Sequence, residues 1–310
     1  MKFSDYFRLL LLSAIWGASF LFMRMVAPNL GAVPTTFFRV LLGALGLAFI
    51  LVVLNASWTF RGKFRTTMVL GVINSGIPFL MYAIAARQLP AGYSAMLNAT
   101  TPLMGVVIGA LFFSERLTRN RVAGVMAGFA GVALLVDKGP VAPSNHVLLG
   151  VGACLIATAC YGAASFLTRR WISERGGLDS KLVAFGSQIG ATLCVAPFFV
   201  YSAAAFPPAH WGGGVIWSAV GALGLLCTAV AYIIYFRLIA DVGPVKSLTV
   251  TFLIPPFGIL WGFLFLGEKI SWDYAFSGGL IGLALWLVLK SGPKIQNPRP
   301  VLAKMSESEP

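Results

Sequence analysis

Ser94–Leu117 reads SAMLNATTPLMGVVIGALFFSERL, and Ser247–Ile270 reads SLTVTFLIPPFGILWGFLFLGEKI. At an offset of 153 residues, without a gap, Ser94, Pro102, Gly105, Gly109, Leu111, Phe112 and Glu115 meet Ser247, Pro255, Gly258, Gly262, Leu264, Phe265 and Glu268. The triplet Arg116-Leu117-Thr118 meets the conservative Lys269-Ile270-Ser271. The same offset pairs Leu134 with Leu287 downstream and Tyr82 with Tyr235 upstream. A shared Leu, Gly and Phe bias yields scattered coincidences, but it does not place a proline and a glutamate thirteen residues apart in both copies. The chain is therefore read as a duplicated unit.

Working outward, the 310 residues are 58% hydrophobic and 11% charged, against about 25% charged in a soluble domain. The apolar surplus has to face lipid. A helix needs about 20 apolar residues to cross the hydrocarbon core. Ten such runs are present, at 7–26, 33–54, 67–86, 92–113, 120–136, 147–168, 181–202, 214–238, 245–266 and 274–290. The first lacks a clear small-residue cleavage site and is followed by nine more, so it reads as a span and not as a signal peptide. The tail 293–310 is polar and proline-containing and reads as disordered and cytoplasmic. The expected fold is an all-α membrane protein of ten transmembrane helices. It divides into a five-helix repeat at 1–140 and a second at 145–292.

Loop charge sets the orientation. With the N-terminus in the cytoplasm, the inner segments hold Lys2, Arg8, Arg61, Lys63, Arg65, Arg116, Arg119, Arg121, Arg169, Arg170, Arg175, Lys181, Arg237, Lys246, Lys290, Lys294, Arg299 and Lys304. The outer segments hold only Arg24, Arg87, Lys138 and Lys269. Both termini are expected in the cytoplasm. This bias also accounts for the net charge of +13 without a nucleic-acid partner. Because five spans is an odd number, the second repeat enters the membrane from the opposite side. The repeats are then inverted, the geometry that permits alternating access.

All ten acidic residues fall in loops, tails or helix ends, and the two histidines, His146 and His210, fall in loop stretches. That leaves no mid-membrane proton carrier. It also leaves no Ser–His pair or paired carboxylates for intramembrane hydrolysis, so no catalytic residue is assigned. Cys154, Cys160, Cys194 and Cys227 lie inside apolar runs without metal-site spacing. No metal and no cofactor are expected.

Polar and aromatic groups inside the runs are few, and they are the candidates for a substrate cavity. Asn98 and Thr101, three residues apart, share a helix face. Trp16 sits near the middle of the first run, too deep for the aromatic belt, and Tyr161 holds the comparable place in the sixth. Tyr82 adds another ring with a polar tip. Arg39 lies about 9 Å inside the second run at 1.5 Å per residue and could meet a carboxylate. For each, packing or interhelical hydrogen bonding is the competing reading, and for Arg39 snorkelling to the interface. Asn74 and Gln188 are weaker candidates. Pro102 and Pro255, the latter followed by Pro256, interrupt the fourth and ninth runs at matching places and could free carbonyls toward a cavity. Gly124, Gly128 and Gly131, with Gly278, Gly279 and Gly282, mark close helix packing on the fifth and tenth runs. Packing within one bundle is favoured over a homodimer.

These features resemble the EamA-type transporters of the drug/metabolite transporter superfamily over 7–290. The matching residues are Trp16-Gly17-x-x-Phe20, Pro34, Arg39, Thr101-Pro102, Phe113-x-Glu115-x-Leu117 and Gly267-Glu268. The resemblance implies a basket of the first to fourth and sixth to ninth spans around a central cavity, with the fifth and tenth at the periphery. It implies a secondary carrier in a bacterial-type plasma (inner) membrane that exports small metabolites such as amino acids or related compounds. Multidrug efflux, and further off a membrane enzyme or lipid scramblase, are the alternatives. The first run lacks the membrane-embedded glutamate of the small multidrug-resistance relatives.

Overall fold

The computed structural model describes residues 2–290 apart from 116, 209, 244–246 and 248. The expected tail at 293–310 and the start of the ninth run lie outside the described residues. Among those described, the secondary structure is helical throughout. In chain order the helices are α1 (Phe3–Leu30), α2 (Ala32–Val53), α3 (Phe64–Ala86), α4 (Ala91–Asn98), α5 (Thr101–Phe112), α6 (Arg119–Lys138), α7 (Asn145–Trp171), α8 (Ser180–Ala205), α9 (Gly214–Val242), α10 (Val250–Leu266) and α11 (Trp272–Lys290). Seven of them, α1 to α3 and α6 to α9, are long and apolar enough to cross a membrane. The pair α4 and α5 makes an eighth crossing if taken as one span bent by 41°, and α10 and α11 are shorter apolar helices.

Local chemistry sets the boundaries. Gly31 joins α1 to α2 in a single residue at φ +87°, where a side chain would be strained. Ser144 caps α7 by accepting from the Val147 N–H at 3.3 Å, so that His146, expected in a loop, belongs to the first turn of a helix. Leu111 and Phe112 on α5, Phe198 on α8, and Phe263, Leu264 and Phe265 on α10 are exposed. Outward-facing apolar rows of this kind fit a lipid surround.

The helix breaks depart from expectation. The fourth run is broken at Ala99 and Thr100, with Pro102 in the first turn of α5, where its missing N–H costs nothing. Pro255 and Pro256 do not break their helix: α10 runs through them from Val250 to Leu266. Proline tolerates a helix interior when the local ladder adjusts around the lost donors. The backbone interruptions that do match are elsewhere. α3 passes through a π-helical turn at Val72–Gly76, and α9 through a longer one at Ala222–Val230. At the offset of 153 the first falls inside the second.

Packing repeats in the same way. α10 lies on α1, and α5 on α7. A Cβ added at Gly17 would stand 3.0 Å from the Gly258 nitrogen, and one at Gly162 would stand 3.0 Å from the Gly105 Cα. Gly105 and Gly258 are partners at the offset. α3 lies on α8, and the π segment of α9 on α2. There the close positions are Gly71 against the Ser187 backbone and Gly224 against Leu42 and the Arg39 carbonyl, again partners at the offset. α6 and α11 pack along each other, with Gly124 under the Ala284 carbonyl and Gly131 against Ile281 and the Ser277 carbonyl. Gly279 and Gly282, expected in the same contact, face open space. Small residues let backbones approach, which matters in lipid because there is no hydrophobic force to draw helices together.

Candidate functional site

Arg39 stands on α2 seven residues from its start, and only 5% of it is exposed. Its guanidinium carbon lies 3.6 Å from the centre of the Phe79 ring on α3. Nη1 donates to the Met23 sulfur at 3.3 Å, and Nε to Thr228 Oγ1 at a long 3.5 Å. Thr228 Oγ1 in turn donates to the Leu223 carbonyl at 2.9 Å, a five-residue reach set by the π register of α9. No carboxylate among the described residues lies within 4.0 Å of this guanidinium. Tyr161, Cys227, Tyr232 and Tyr82 lie within electrostatic range of it. A buried cation held by a ring face, a thioether and one long hydroxyl contact keeps much of its donor capacity unused.

A second polar group adjoins it. The Tyr82 hydroxyl donates to Asn98 Oδ1 at 2.8 Å, across the gap between α3 and the last residue of α4. Asn98 falls where the helix breaks, so its side chain is half-buried at a backbone discontinuity. Thr101 is close, but its hydroxyl donates to the Asn98 carbonyl at 2.7 Å and serves the break itself. The Tyr82 ring meets Phe20 edge-on at 5.3 Å and Tyr161 at 6.2 Å. Trp16 is set against Tyr235 at 5.2 Å. Tyr82 with Tyr161 and Tyr235 with Trp16 are thus equivalent aromatic pairs, each joining a ring of one half to a ring of the other.

Of the six candidate residues, Arg39, Tyr82, Asn98 and Tyr161 come together, Thr101 braces Asn98, and Trp16 belongs to the matching cluster around Tyr235. Neither of two cavities that open on the bundle, of about 630 and 580 Å³, is lined by any of the six. Sequence reasoning passed over Phe79, Met23 and Thr228, which hold Arg39. It also passed over Ser75, which accepts from Gln188 Nε2 at 2.9 Å. Ser75 and Thr228 are hydroxyl residues at the offset of 153, a signal present in the sequence. Cys154 and Cys227 are buried free thiols, and Cys227 donates to the Ile15 carbonyl at 3.3 Å, in keeping with a packing role.

A model of the EamA-like transporter family matches the chain twice, over residues 5–137 and 148–290. The chain belongs to the EamA-like transporter family. By its family and its long apolar helices it is a multi-pass membrane protein. Among its relatives is the "Probable terminal-alkyne amino-acid exporter" of Streptantibioticus cattleyicolor, 26% identical over 64% of this chain and 63% of that one. Another is Protein PecM of Dickeya dadantii, 27% identical over 66% of each chain. These matches span just under two thirds of the relatives' length. An uncharacterized transporter of Archaeoglobus fulgidus matches more fully, at 25% identity over 92% of this chain and 96% of its own. A protein of known crystal structure superposes on 96% of this chain and 100% of its own, with a TM-score of 0.63 and 18% identity. At that identity the likeness establishes the fold alone.

Proposed function

We propose that this EamA-like transporter exports small carboxylate-bearing metabolites, amino acids and related compounds, by alternating access. The two halves, 1–140 and 145–292, are inverted five-span units in the plasma (inner) membrane, both termini are cytoplasmic, and the carrier works as a monomer without nucleic acid. The observation that carries the substrate class is Arg39: a buried guanidinium with no carboxylate partner among the described residues, beside Tyr82, Tyr161 and Tyr232. Moving a cation out of water is expensive unless something compensates it. A solute carboxylate would supply that compensation, and would do so only while bound. The rings of Tyr82, Tyr161 and Phe20 offer contact to the apolar part of such a solute, and Asn98 to its polar groups.

Alternating access draws support from the double set of contacts. Each half lends its first helix to the helix with Gly105 or Gly258, and its second to the π segment of the other half. Exchanging the two sets would exchange the side on which the centre opens. Charge supports the orientation: Arg8, Arg61, Lys63, Arg65 and the Arg169–Arg175 cluster lie at one end, where Arg8 pairs with Asp241 at 2.5 Å and Lys63 donates to the Gly177 carbonyl at 2.7 Å. The name of the Streptantibioticus relative points to amino-acid export as the class to try first.

The test is counterflow in proteoliposomes made with the purified protein. Leucine, phenylalanine and their decarboxylated amines are offered at equal concentration. Saturable counterflow of the carboxylate-bearing members is expected, with little of the amines. Equal movement of acid and amine, or flux that rises without saturation, would refute the assignment.

A further inference from the structure

The ends of α1, α3, α4, α9 and α10 that meet on the face opposite the Arg8–Asp241 pair surround the cavity of about 630 Å³. Its wall carries charges of both signs, Arg24 and Arg87 against Glu268, beside the apolar Met25, Ile216 and Leu266. The charges do not neutralise one another: no N–O distance of 4.0 Å or less joins either arginine to Glu268. Two of them are fixed in place. Arg24 Nη1 donates to the Ala86 carbonyl at 2.7 Å. Glu268 accepts from the Ala91 and Gly92 N–H groups at 2.8 and 3.3 Å, at the start of α4. Gly262 leaves space for that carboxylate, since a Cβ there would clash with Glu268 Oε2. Arg87 is exposed and has no ion pair among the described residues.

A cavity with unneutralised charges of both signs beside an apolar wall is complementary to a molecule built the same way. We infer that it is a docking site, separate from Arg39, for a zwitterionic α-amino acid with an apolar side chain. The arginines take the carboxylate, for which a guanidinium fork is shaped. Glu268 takes the ammonium through the lone pairs its backbone bonds leave open. Met25, Ile216 and Leu266 receive the side chain. The volume lies within the range of small-molecule sites. A solute leaving the centre toward this face would pause here before release. The inference deepens the amino-acid reading of the carrier, but it has a binding test of its own.

Saturation-transfer NMR on the full-length protein in detergent, with leucine as probe, provides that test. Arg39→Gln weakens the central site about tenfold or more. Leucinamide keeps only the ammonium, and 4-methylpentanoate keeps only the carboxylate. The Arg39→Gln protein is expected still to bind leucine, and to bind either analogue about tenfold more weakly, as loss of one charge-assisted contact implies. Adding Arg87→Gln or Arg24→Gln should weaken leucine by a similar factor. Arg87 is exposed in the connection between α3 and α4 and has no ion pair among the described residues, so it keeps the test clean if Glu268→Gln loosens the start of α4. Loss of leucine binding in Arg39→Gln alone, or no effect of the added arginine variants, overturns the docking site. Binding of 4-methylpentanoate equal to that of leucine overturns the zwitterion. If docking persists while wild-type proteoliposomes move no carboxylate solute, the proposed function fails and the dock stands.

Discussion

Replacing Gly71 by alanine tests the packing on which the central site depends. A Cβ at Gly71 would lie 1.9 Å from the Ser187 carbonyl oxygen and 2.5 Å from the Ser187 Cα and carbonyl carbon. All three are backbone atoms of α8 and cannot rotate aside. An ordinary contact begins near 3.4 Å, so the two helices must part by 1.5 Å at this point. A radial gap of 0.5–1 Å already forfeits about a quarter to a half of a van der Waals well. In lipid no hydrophobic force offsets the loss. Overpacking of this kind costs about 1–3 kcal/mol, roughly a 5- to 150-fold drop in the folding equilibrium. The damage should also reach function. Ser75, one turn further along α3, holds the buried Gln188 amide at 2.9 Å, and a parting of 1.5 Å breaks that bond. Stability is read from SDS titration of the purified protein, and function from counterflow. Gly221→Ala is the control: its added Cβ meets nothing within 4 Å, and alanine improves helix propensity by up to about 1 kcal/mol. A Gly71→Ala protein within about 0.5 kcal/mol of wild type, the scatter of ordinary surface substitutions, would show that α3 and α8 do not approach as described.

Other outcomes follow from the site. Arg39→Gln should raise the KM for carboxylate solutes about tenfold or more and Arg39→Lys by less, since lysine keeps the charge without the fork; equal transport by all three proteins would leave Arg39 a packing residue. Trp16→Ala and Asn98→Ala should each cut transport strongly at near-normal protein level. Tyr82→Phe, which removes the 2.8 Å bond to Asn98, should lose little more when combined with Asn98→Ala, and additive losses would show that the two act separately. Single cysteines at positions 63 and 143 in a cysteine-free background should label from the cytoplasmic and outer sides respectively; labelling of position 63 in intact cells would reverse the orientation.

The apolar helices, seven of them long enough to cross a membrane, the duplication and most helix ends could be read from the sequence, because each rests on information local to the chain. A bilayer demands about 20 consecutive apolar residues and satisfies every backbone group within the helix, so a span shows itself in one dimension. Thus the runs at 181–202 and 214–238 became Ser180–Ala205 and Gly214–Val242. The offset that relates Glu115 to Glu268 likewise needs only counting. What the sequence left open depended on partners distant in the chain. Pro102 and Pro255 read alike, yet only the first run is broken, and it is broken two residues before its proline. The π turn at Ala222–Val230 carries no proline to announce it, whereas the one at Val72–Gly76 is followed by Pro78, whose missing N–H falls opposite Asn74. Arg39 could have snorkelled to the surface as far as its position in α2 tells. Only the fold brings Met23, Phe79 and Thr228 against it without a carboxylate, and only the fold turns Glu268 back onto the start of α4. Burial and hydrogen bonding in lipid are decided by which helices touch, and contact between segments up to 247 residues apart is a property of the folded chain alone.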